Sequence, residues 1–521
     1  MGGTASGSSR WATWALALAV LVLWEVVGRF DLVARGALPA PGEILVQAWA
    51  DRSDYPPHIG ATLWAALVGF LIGNAVAIAA AVLFSLVPAA ERLTRGISIT
   101  LFAIPPIALV PILVIGFTGS EPRIILAAVA VYFPTMVSTL LGLRDVDPRL
   151  VDLMRSYGAG RWKVLAMVRL RAALPGLFAG LQVAAPAAVL GAILAEFGGG
   201  VRWGLGTYLL GSLGQANPAR LWGIGLAATA AAGAAYALFG ALGRRITETN
   251  RAATLAASGA PEILGSASGP LWQRLALAMA SVAVALALWW GVLLLLDLSP
   301  VVAYAPPAVW DYLVTGAQAA NARARLGAAL AETLPLAVVG LAAGLAVAFL
   351  LAVVTTIWRP LGRVMLPFAL VSQTMPLVAL TPLIVLLFGR TATATLVVTV
   401  SVTFFPAFVT LAQGLAQVPR SALDVLAAYG ASPLKQLRFV GVPAALPHLL
   451  AAARLGAPRA LLGVMIAEWL ATGYGLGNLL NQSRGMLDYG MIWSVAVVSV
   501  LVSIGFYQAV TVVEARLLGR R

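Results

Sequence analysis

The chain contains few side chains of the types that carry out chemistry. Its only lysines are Lys163 and Lys435. A lysine that binds nucleotide phosphates in a P-loop stands between Gly and Ser or Thr, and neither lysine has these neighbours. Cysteine is absent, and the two histidines, His58 and His448, are far apart in the sequence. No catalytic set of side chains is recognisable either. We therefore predict that the chain is not an enzyme and that it holds no metal and no cofactor.

The two lysines belong to a polar segment that occurs twice, once in each half of the chain. Residues 157–176 and 429–448 are identical at 10 of 20 aligned positions, and the same offset relates Asp152 to Asp424. The chain is therefore interpreted as a tandem duplication. Because the repeated segment is polar and its flanks are apolar, we predict that both copies are docking surfaces for a partner with two-fold symmetry.

The elements around these segments have the composition of membrane spans. Hydrophobic residues make up 61% of the chain and charged residues 10%. Apolar stretches of about 20 residues cross a bilayer as helices, which predicts an all-α integral membrane protein. Twelve stretches are found, at 11–28, 61–88, 97–118, 124–142, 177–197, 221–240, 275–296, 333–356, 364–388, 391–413, 447–469 and 491–511. They give two six-span repeats, 1–243 and 271–521, joined by a flexible cytoplasmic linker at 244–270.

The positive charge of the chain has a topological explanation. The net charge is +14. With both termini in the cytoplasm, 22 of the 34 Lys and Arg residues lie on the cytoplasmic side, as the positive-inside rule requires. This distribution favours a multi-pass protein in a lipid bilayer, and we expect no binding to nucleic acid.

Each polar segment combines a short amphipathic helix with a glycine. Leu150, Leu153, Met154 and Tyr157 recur at helical spacing, and Gly158 then ends the predicted helix. A second short helix is expected to run toward Pro175. Repeat two shows the same pattern, with Tyr429 before Gly430 and a second segment running toward Pro447.

This pattern resembles the EAA signature of binding-protein-dependent ABC import permeases. Met154 to Gly158 and Ala172 to Pro175 carry the resemblance, as do Ala195-Glu196 before Gly204-Leu205-Gly206 and Ala467-Glu468 before Gly475-Leu476-Gly477. It is similar to the subgroup that serves alkanesulfonates, taurine, nitrate and pyrimidine-type precursors. The sequence departs from the family pattern in having Asp for the leading Glu, and Arg171 where repeat two has the motif proline, Pro443.

The resemblance implies two fused permease domains of the type I ABC permease (MetI-like) fold. It implies two ABC ATPase subunits as partners, an extracytoplasmic solute-binding protein, and a place in the bacterial inner membrane. The residues implied to couple the chain to the ATPases are Asp152, Tyr157, Gly158, Ala159, Lys163, Pro175, Asp424, Tyr429, Gly430, Ala431, Lys435, Pro443 and Pro447.

Polar and helix-breaking residues inside the spans are candidates for the pathway. Prolines interrupt the third spans, which either line the pathway at these points or contain simple packing kinks. Ionisable groups are costly at membrane depth. Glu196 and Glu468, which end the fifth spans, act either at an outer gate or as interfacial anchors. Arg459 attracts an anionic solute or, as we favour, pairs with Glu468 or Glu25. The candidates are Pro105, Pro111, Gln182, Glu196, Gln373, Pro376, Pro382, Arg454, Arg459 and Glu468.

Other functions remain open at the level of sequence. A twelve-helix secondary transporter also has two parallel halves. A membrane enzyme or an assembly scaffold is the second alternative. The enzyme would need a clustered catalytic set, which is not recognisable. A small sulfonate, nitrate and a pyrimidine-like compound are all compatible with the resemblance, and the sequence does not choose among these solutes.

Overall fold

The helices of this chain follow from its composition, because only helices satisfy the backbone hydrogen bonds of such apolar segments in a bilayer. A computed structural model describes residues 18–33, 36–87, 89–91, 101–215, 217–247, 271–358, 361–362, 365 and 377–518. Within these ranges the chain forms helices and turns and no β-strand. The all-α class predicted from sequence is confirmed.

The main helices recur in the same order in both repeats. In the first they are α1 (18–29), α2 (Pro41–Ala50), α3 (Tyr55–Leu86), α4 (Pro106–Gly116), α5 (Glu121–Arg144), α6 (Pro148–Ser156), α7 (Arg161–Glu196), α8 (Leu205–Leu213) and α9 (Pro218–Thr247). In the second they are α10 (Leu271–Leu295), α11 (Pro306–Trp310), α12 (Ala319–Ile357), α13 (Leu377–Phe388), α14 (Ala392–Ala416), α15 (Arg420–Ala428), α16 (Pro433–Leu470), α17 (Gly475–Gly485) and α18 (Tyr489–Leu518).

Eight of the described helices are long and apolar enough to cross a membrane, namely α3, α5, α7, α9, α12, α14, α16 and α18. The other four predicted spans coincide with the described parts of α1, α4, α10 and α13. α4 is short because the third span is interrupted at Ile104 and Pro105, which follow a helical segment at 101–103. α13 begins at Leu377, where the described residues resume after 366–376. The predicted arrangement of two six-span repeats therefore fits the helices observed.

The predicted linker begins later than the sequence suggested. α9 continues to Thr247, so residues 244–247 are helical, and residues 248–270 lie outside the described part of the chain. The domain boundaries remain predictions.

The two repeats are packed into each other through their third spans. α4 of the first repeat packs against α16, α17 and α18 of the second, and α13 of the second packs against α7, α8 and α9 of the first. One core cluster accordingly contains residues of both repeats, among them Ile107 of α4, Ala188 of α7, Leu383 of α13 and Met465 of α16. The repeats thus form one body with a central seam, on which α7 and α16 both lie.

Small residues allow the helices within each repeat to approach closely. Gly69 and Gly73 of α3 lie against the backbone of α5, and Gly340 and Gly344 of α12 lie against Thr399 and Thr403 of α14. These two Gly-x-x-x-Gly pairs occupy equivalent positions of the two repeats. Such pairs bring helix backbones together where lipid supplies no hydrophobic driving force.

Candidate functional site

Each repeat places a short helix between its fourth and fifth spans, as predicted. These helices, α6 and α15, have nine residues each. The side chain of Asp147 caps α6 by accepting a hydrogen bond from the Arg149 amide at 2.9 Å. α15 follows Pro419. The two helices are equivalent parts of the repeats and lie at the same end of the bundle.

The repeated Tyr-Gly-Ala sequence forms the turn that ends each short helix. Gly158 has φ +76° and Gly430 has φ +73°, a left-handed conformation that favours glycine. The Ala159 amide donates to the Met154 carbonyl at 3.0 Å, and the Ala431 amide donates to the Leu426 carbonyl at 2.9 Å. Each glycine amide donates three residues back, at 2.9 Å. The two sites therefore have the same Schellman cap, which fixes the direction in which the chain leaves the helix.

The short helices have exposed apolar faces. Tyr157 is 83% exposed and Tyr429 is 86% exposed, and next to them Leu153 and Val425 are also more than half exposed. These residues lie beyond the ends of the spans that flank them, so lipid does not account for their exposure. We call the faces formed by Leu153 and Tyr157, and by Val425 and Tyr429, the loop surfaces. Exposed apolar surface of this kind typically marks a protein–protein contact.

The segment after each loop surface differs from the prediction of a separate short helix. α7 runs without a break from Arg161 to Glu196, and α16 runs from Pro433 to Leu470. Each contains a π-turn near its start, at Leu165–Arg169 and Leu437–Gly441. Packing explains why the helix of repeat one continues through Pro175. The next residue, Gly176, lies against the backbone of Ser138 in α5, and this close contact holds the helix in place.

The remaining candidates for coupling lie on or beside these elements. Asp152, Lys163, Asp424, Lys435 and Pro447 are exposed, whereas Pro175 and Pro443 are half-buried. Although Pro443 has its counterpart in Arg171, both repeats have their π-turn at equivalent positions. The backbone at this point therefore does not depend on the motif proline. The coupling role of these residues remains a prediction.

At the opposite end of the bundle, Glu196 and Glu468 are almost fully buried, with exposures of 0% and 1%. Glu196 accepts hydrogen bonds from the Thr62 hydroxyl at 2.7 Å and from the Gly206 amide at 2.7 Å. Glu468 accepts from the Thr333 hydroxyl at 2.8 Å and from the Gly477 amide at 3.0 Å. We call these two arrangements the carboxylate clamps.

The carboxylate clamps hold the beginnings of α8 and α17. Thr62 accepts a hydrogen bond from the Leu205 amide, and Thr333 accepts one from the Leu476 amide, both at 2.9 Å. A carboxylate beside the free amides of a helix N-terminus is favourable for the helix dipole. Each clamp therefore joins three helices of its repeat: α3, α7 and α8 in the first, and α12, α16 and α17 in the second.

The clamps differ in charge. Arg123 Nη1 lies 3.6 Å from Glu196 Oε1 and donates to the Trp203 carbonyl at 2.9 Å. Glu468 has no cationic partner among the described residues, and Glu332 accepts from the nearby Gly475 amide at 2.7 Å. The first clamp is thus an ion pair, and the second contains two acids.

Sequence reasoning missed Thr62 and Thr333. The signal was available, because the offset that pairs Gly206 with Gly477 also pairs the two threonines. A threonine at equivalent positions of two apolar spans indicates a hydroxyl with a fixed partner.

An ion pair also lies near the clamp end, between Asp51, which lies outside the spans of the first repeat, and Arg220 in the first turn of α9. Arg220 Nε and Nη2 donate to the two carboxylate oxygens of Asp51, at 2.7 and 2.6 Å. These hydrogen bonds hold the pKa of Asp51 below its ordinary value. The pair ties the end of α2 to the start of α9.

The proline candidates lie at the third spans. Pro105 directly precedes α4, Pro111 is buried inside it, and Pro382 lies inside α13. Gln373 and Pro376 lie outside the described residues. Pathway roles for all of these residues remain predictions.

Of the polar candidates on α7 and α16, Gln182 and Arg454 contact the last span of their own repeat, and Arg459 does not share this arrangement. Gln182 lies against Gly240 of α9, and its counterpart Arg454 forms an ion pair with Glu514 of α18 at 3.0 Å. Both side chains are therefore directed at the last span of their own repeat. Arg459 is half-buried, and the pairing favoured for it from sequence is not found among the residues that the structure describes.

Comparison with known proteins finds the same family in both repeats and several individual relatives. The sequence profile of the family described as "Binding-protein-dependent transport system inner membrane component" matches residues 73–249 and again residues 344–519. A probable ABC transporter permease protein of Haemophilus influenzae is 29% identical over 168 residues, which are 32% of this chain and 69% of that protein. A riboflavin transport system permease protein of Chloroflexus aurantiacus is 33% identical over 31% of this chain and 60% of its own length. A putative aliphatic sulfonates transport permease protein of Escherichia coli is 28% identical, over 36% of this chain and 72% of its own length.

Proposed function

The chain belongs to the family of binding-protein-dependent transport system inner membrane components, and we propose that it is the permease of an ATP-driven ABC importer. Its two family domains form both halves of the solute pathway in one polypeptide. The observation that carries this proposal is the pair of equivalent loop surfaces, each ended by the same glycine turn. The sequence contains no P-loop, so the ATPase activity resides on partner subunits.

The loop surfaces are the proposed contacts for two ATPase subunits, one under each repeat. Each surface presents one aromatic and one aliphatic side chain, with a lysine nearby at Lys163 or Lys435. Exposed aromatic residues are common anchors of protein interfaces. Because the two surfaces recur with the repeats, a pair of identical or similar ATPases satisfies both.

α7 and α16 are suited to carry movement from these contacts across the membrane. α7 has 36 residues, and an α-helix of that length extends about 54 Å. It begins next to the loop surface and ends at Glu196 in the first carboxylate clamp. We propose that closure of the ATPase pair moves α6 and α15, and that α7 and α16 transmit this movement to α8 and α17. The result is alternating access without chemistry on this chain.

The clamp end is the proposed docking side for an extracytoplasmic solute-binding protein. The distribution of Lys and Arg in the sequence supports this orientation, in which both termini lie in the cytoplasm. The proposed location of the protein is the inner membrane of a bacterium. The twelve-helix secondary transporter is not retained, because the chain belongs to a family of binding-protein-dependent transport components and the loop surfaces would have no role in a secondary transporter.

The glycine turns provide a test of the coupling contact. Gly158→Val with Gly430→Val forces a β-branched residue into the left-handed region, which costs about 1–2 kcal/mol per site. We expect the turns to be lost and the ATPase that co-purifies with the tagged wild-type chain to bind about tenfold more weakly. Binding is measured by titrating this ATPase onto the purified chain in detergent.

Gly158→Asn with Gly430→Asn is the matched control, because Asn adopts the left-handed conformation more readily. A Cβ at either glycine meets no atom within 4 Å, so neither pair of substitutions creates a clash. Equal ATPase binding by the Val and Asn variants would contradict the assignment of the turns to the coupling contact.

A further inference from the structure

Arg459 lies deep in the membrane-spanning part of α16. It is 11 residues before the end of the helix at Leu470, which corresponds to about 16 Å. Half of a hydrocarbon core about 30 Å thick is a similar distance. A lipid headgroup at the clamp end is therefore too far away to be the natural partner of this guanidinium.

The Arg459 side chain lies on the face of α16 that packs against the first repeat. Leu455, one turn earlier on this face, packs against a core cluster formed by α3, α5 and α7. Leu462, one turn later, packs against the cluster shared by both repeats. Residues three and four apart lie on the same side of a helix. Arg459 consequently lies at the central seam and not against lipid.

Among the residues that the structure describes, no acidic side chain neutralises this arginine. No ion pair or hydrogen bond of Arg459 occurs among the described residues. Glu468, nine residues further along α16, is already engaged by Thr333 and Gly477. Beyond the described ranges the only acids are Glu248 and Glu262, in the segment predicted to link the repeats on the cytoplasmic side. The third-span segments 92–100 and 366–376, which precede α4 and α13, contain none.

Arg454 on the same helix shows the contrasting situation. Its guanidinium is buried, pairs with Glu514 and lies 5.9 Å from the ring centre of Tyr507. Arg454 thus contributes to packing between α16 and α18. The counterpart of Arg459 in the first repeat is Ala187, so the fold of a repeat does not require an arginine at this position.

An unpaired arginine at this depth lowers stability, and such groups mark functional sites. The residues on either side of it, Pro458 and Ala460, are buried, and the Arg459 side chain is partly buried. A planar guanidinium binds oxyanions such as carboxylate, sulfonate or phosphate through two parallel hydrogen bonds. An anionic group that arrives at the seam would therefore find a charge-complementary partner there.

We propose that Arg459 binds the negatively charged group of the solute in the translocation pathway, and that the solute of this permease is accordingly a small oxyanion-bearing compound. This inference rests on the proposed function, and it assigns the solute class and the residue that recognises it. Because only the second repeat carries the arginine, the recognition site is asymmetric although the pathway is two-fold.

The test uses the purified full chain in lipid-free detergent and measures its melting temperature by the fluorescence of its 15 tryptophans. Methanesulfonate, acetate and phosphate are the anionic probes, and dimethyl sulfone is the uncharged analogue of methanesulfonate, with sodium chloride keeping ionic strength constant. We expect at least one oxyanion to raise the melting temperature saturably and dimethyl sulfone to have no effect. Adding anionic lipid to the wild-type chain distinguishes a lipid headgroup from a free solute. If anionic lipid alone raised the melting temperature as much as the oxyanion does, and the oxyanion then added nothing, the solute assignment would be contradicted.

Three variants decide the role of the residue. Arg459→Ala is expected to weaken the oxyanion effect about tenfold or more, as befits the loss of a charge-assisted hydrogen bond. Arg459→Lys should retain part of the effect, because it keeps the charge and loses the bidentate geometry. Arg438→Ala removes an exposed arginine near the start of the same helix and should respond like the wild type.

The unliganded proteins supply a second readout. Without anion, Arg459→Ala should melt at the same temperature as the wild type or higher, because the substitution removes the unfavourable free energy of an unpaired charge inside the membrane. A clear fall in the melting temperature would show a structural role and would contradict the proposal. So would oxyanion stabilisation that persists in Arg459→Ala, or its absence from the wild type. None of these results bears on ATPase binding, so failure here leaves the permease assignment standing.

Discussion

Glu196→Ala is expected to destabilise the protein by about 3–5 kcal/mol, because it leaves the buried Arg123 without its acid. Arg123 is only 9% exposed, and its Nη1 lies 3.6 Å from the Glu196 carboxylate. The substitution also removes the acceptor of the Thr62 hydroxyl and of the Gly206 amide. Unfolding in detergent by increasing denaturant or temperature provides the measurement.

Glu468→Ala is the matched comparison, and we expect a smaller loss of about 1–3 kcal/mol. Glu468 accepts equivalent hydrogen bonds from Thr333 and Gly477, but no cation depends on it among the described residues, and Glu332 lies at the same helix end. Removing Glu468 also relieves the repulsion between two neighbouring acids, which offsets part of the free energy lost with its hydrogen bonds. A loss at Glu468 equal to or larger than the loss at Glu196 would refute the ionic description of the first clamp.

Leu153→Glu combined with Val425→Glu is expected to abolish stable binding of the ATPase subunits. Both side chains are more than half exposed and make up the aliphatic part of the loop surfaces. A carboxylate buried in an apolar interface without a partner is strongly unfavourable, and central interface residues cost about 2–4 kcal/mol or more. We expect affinity to fall by at least about a hundredfold, and solute-dependent ATP hydrolysis by the assembled complex to fall with it.

Met486→Glu is the control for this experiment, because Met486 is an exposed apolar residue in the turn after α17, at the clamp end. It should leave ATPase binding unchanged. The single variants should each remove one contact and leave the other. If the double variant bound the ATPase as tightly as the wild type, the loop surfaces would not be the docking sites.

The features that follow from local pattern were predictable from sequence. The twelve apolar stretches, the short amphipathic helices and the glycines that end them each depend on residues close together in the chain. The constant offset between the repeats added what a single repeat could not, since it paired Gly158 with Gly430 and Glu196 with Glu468. The continuity of α7 through Pro175 was missed, because packing of Gly176 against α5 outweighs the local effect of proline.

The contacts between distant elements were not predictable from one sequence. α4 packs against helices of the second repeat, and α13 packs against helices of the first. Such contacts between distant elements have no signature in the local sequence. The equivalent positions of Thr62 and Thr333 are visible in the sequence, but the partners of their hydroxyls, Glu196 and Glu468, are known only from the structure. Arg459 was expected to pair with Glu468 or Glu25, but Glu468 binds Thr333 and Gly477, and Glu25 accepts from the Gly42 amide and lies near Arg29. Only the structure shows that these acids are engaged elsewhere.

We propose that this one chain supplies both coupling surfaces of an ABC importer. Native mass spectrometry of the complex purified through a tag on this chain tests it most directly, because it counts subunits. We predict one copy of this chain with two ATPase subunits, and one ATPase after either Leu153→Glu or Val425→Glu alone. A complex containing two copies of this chain for two ATPases, or a chain that binds none, would contradict the account.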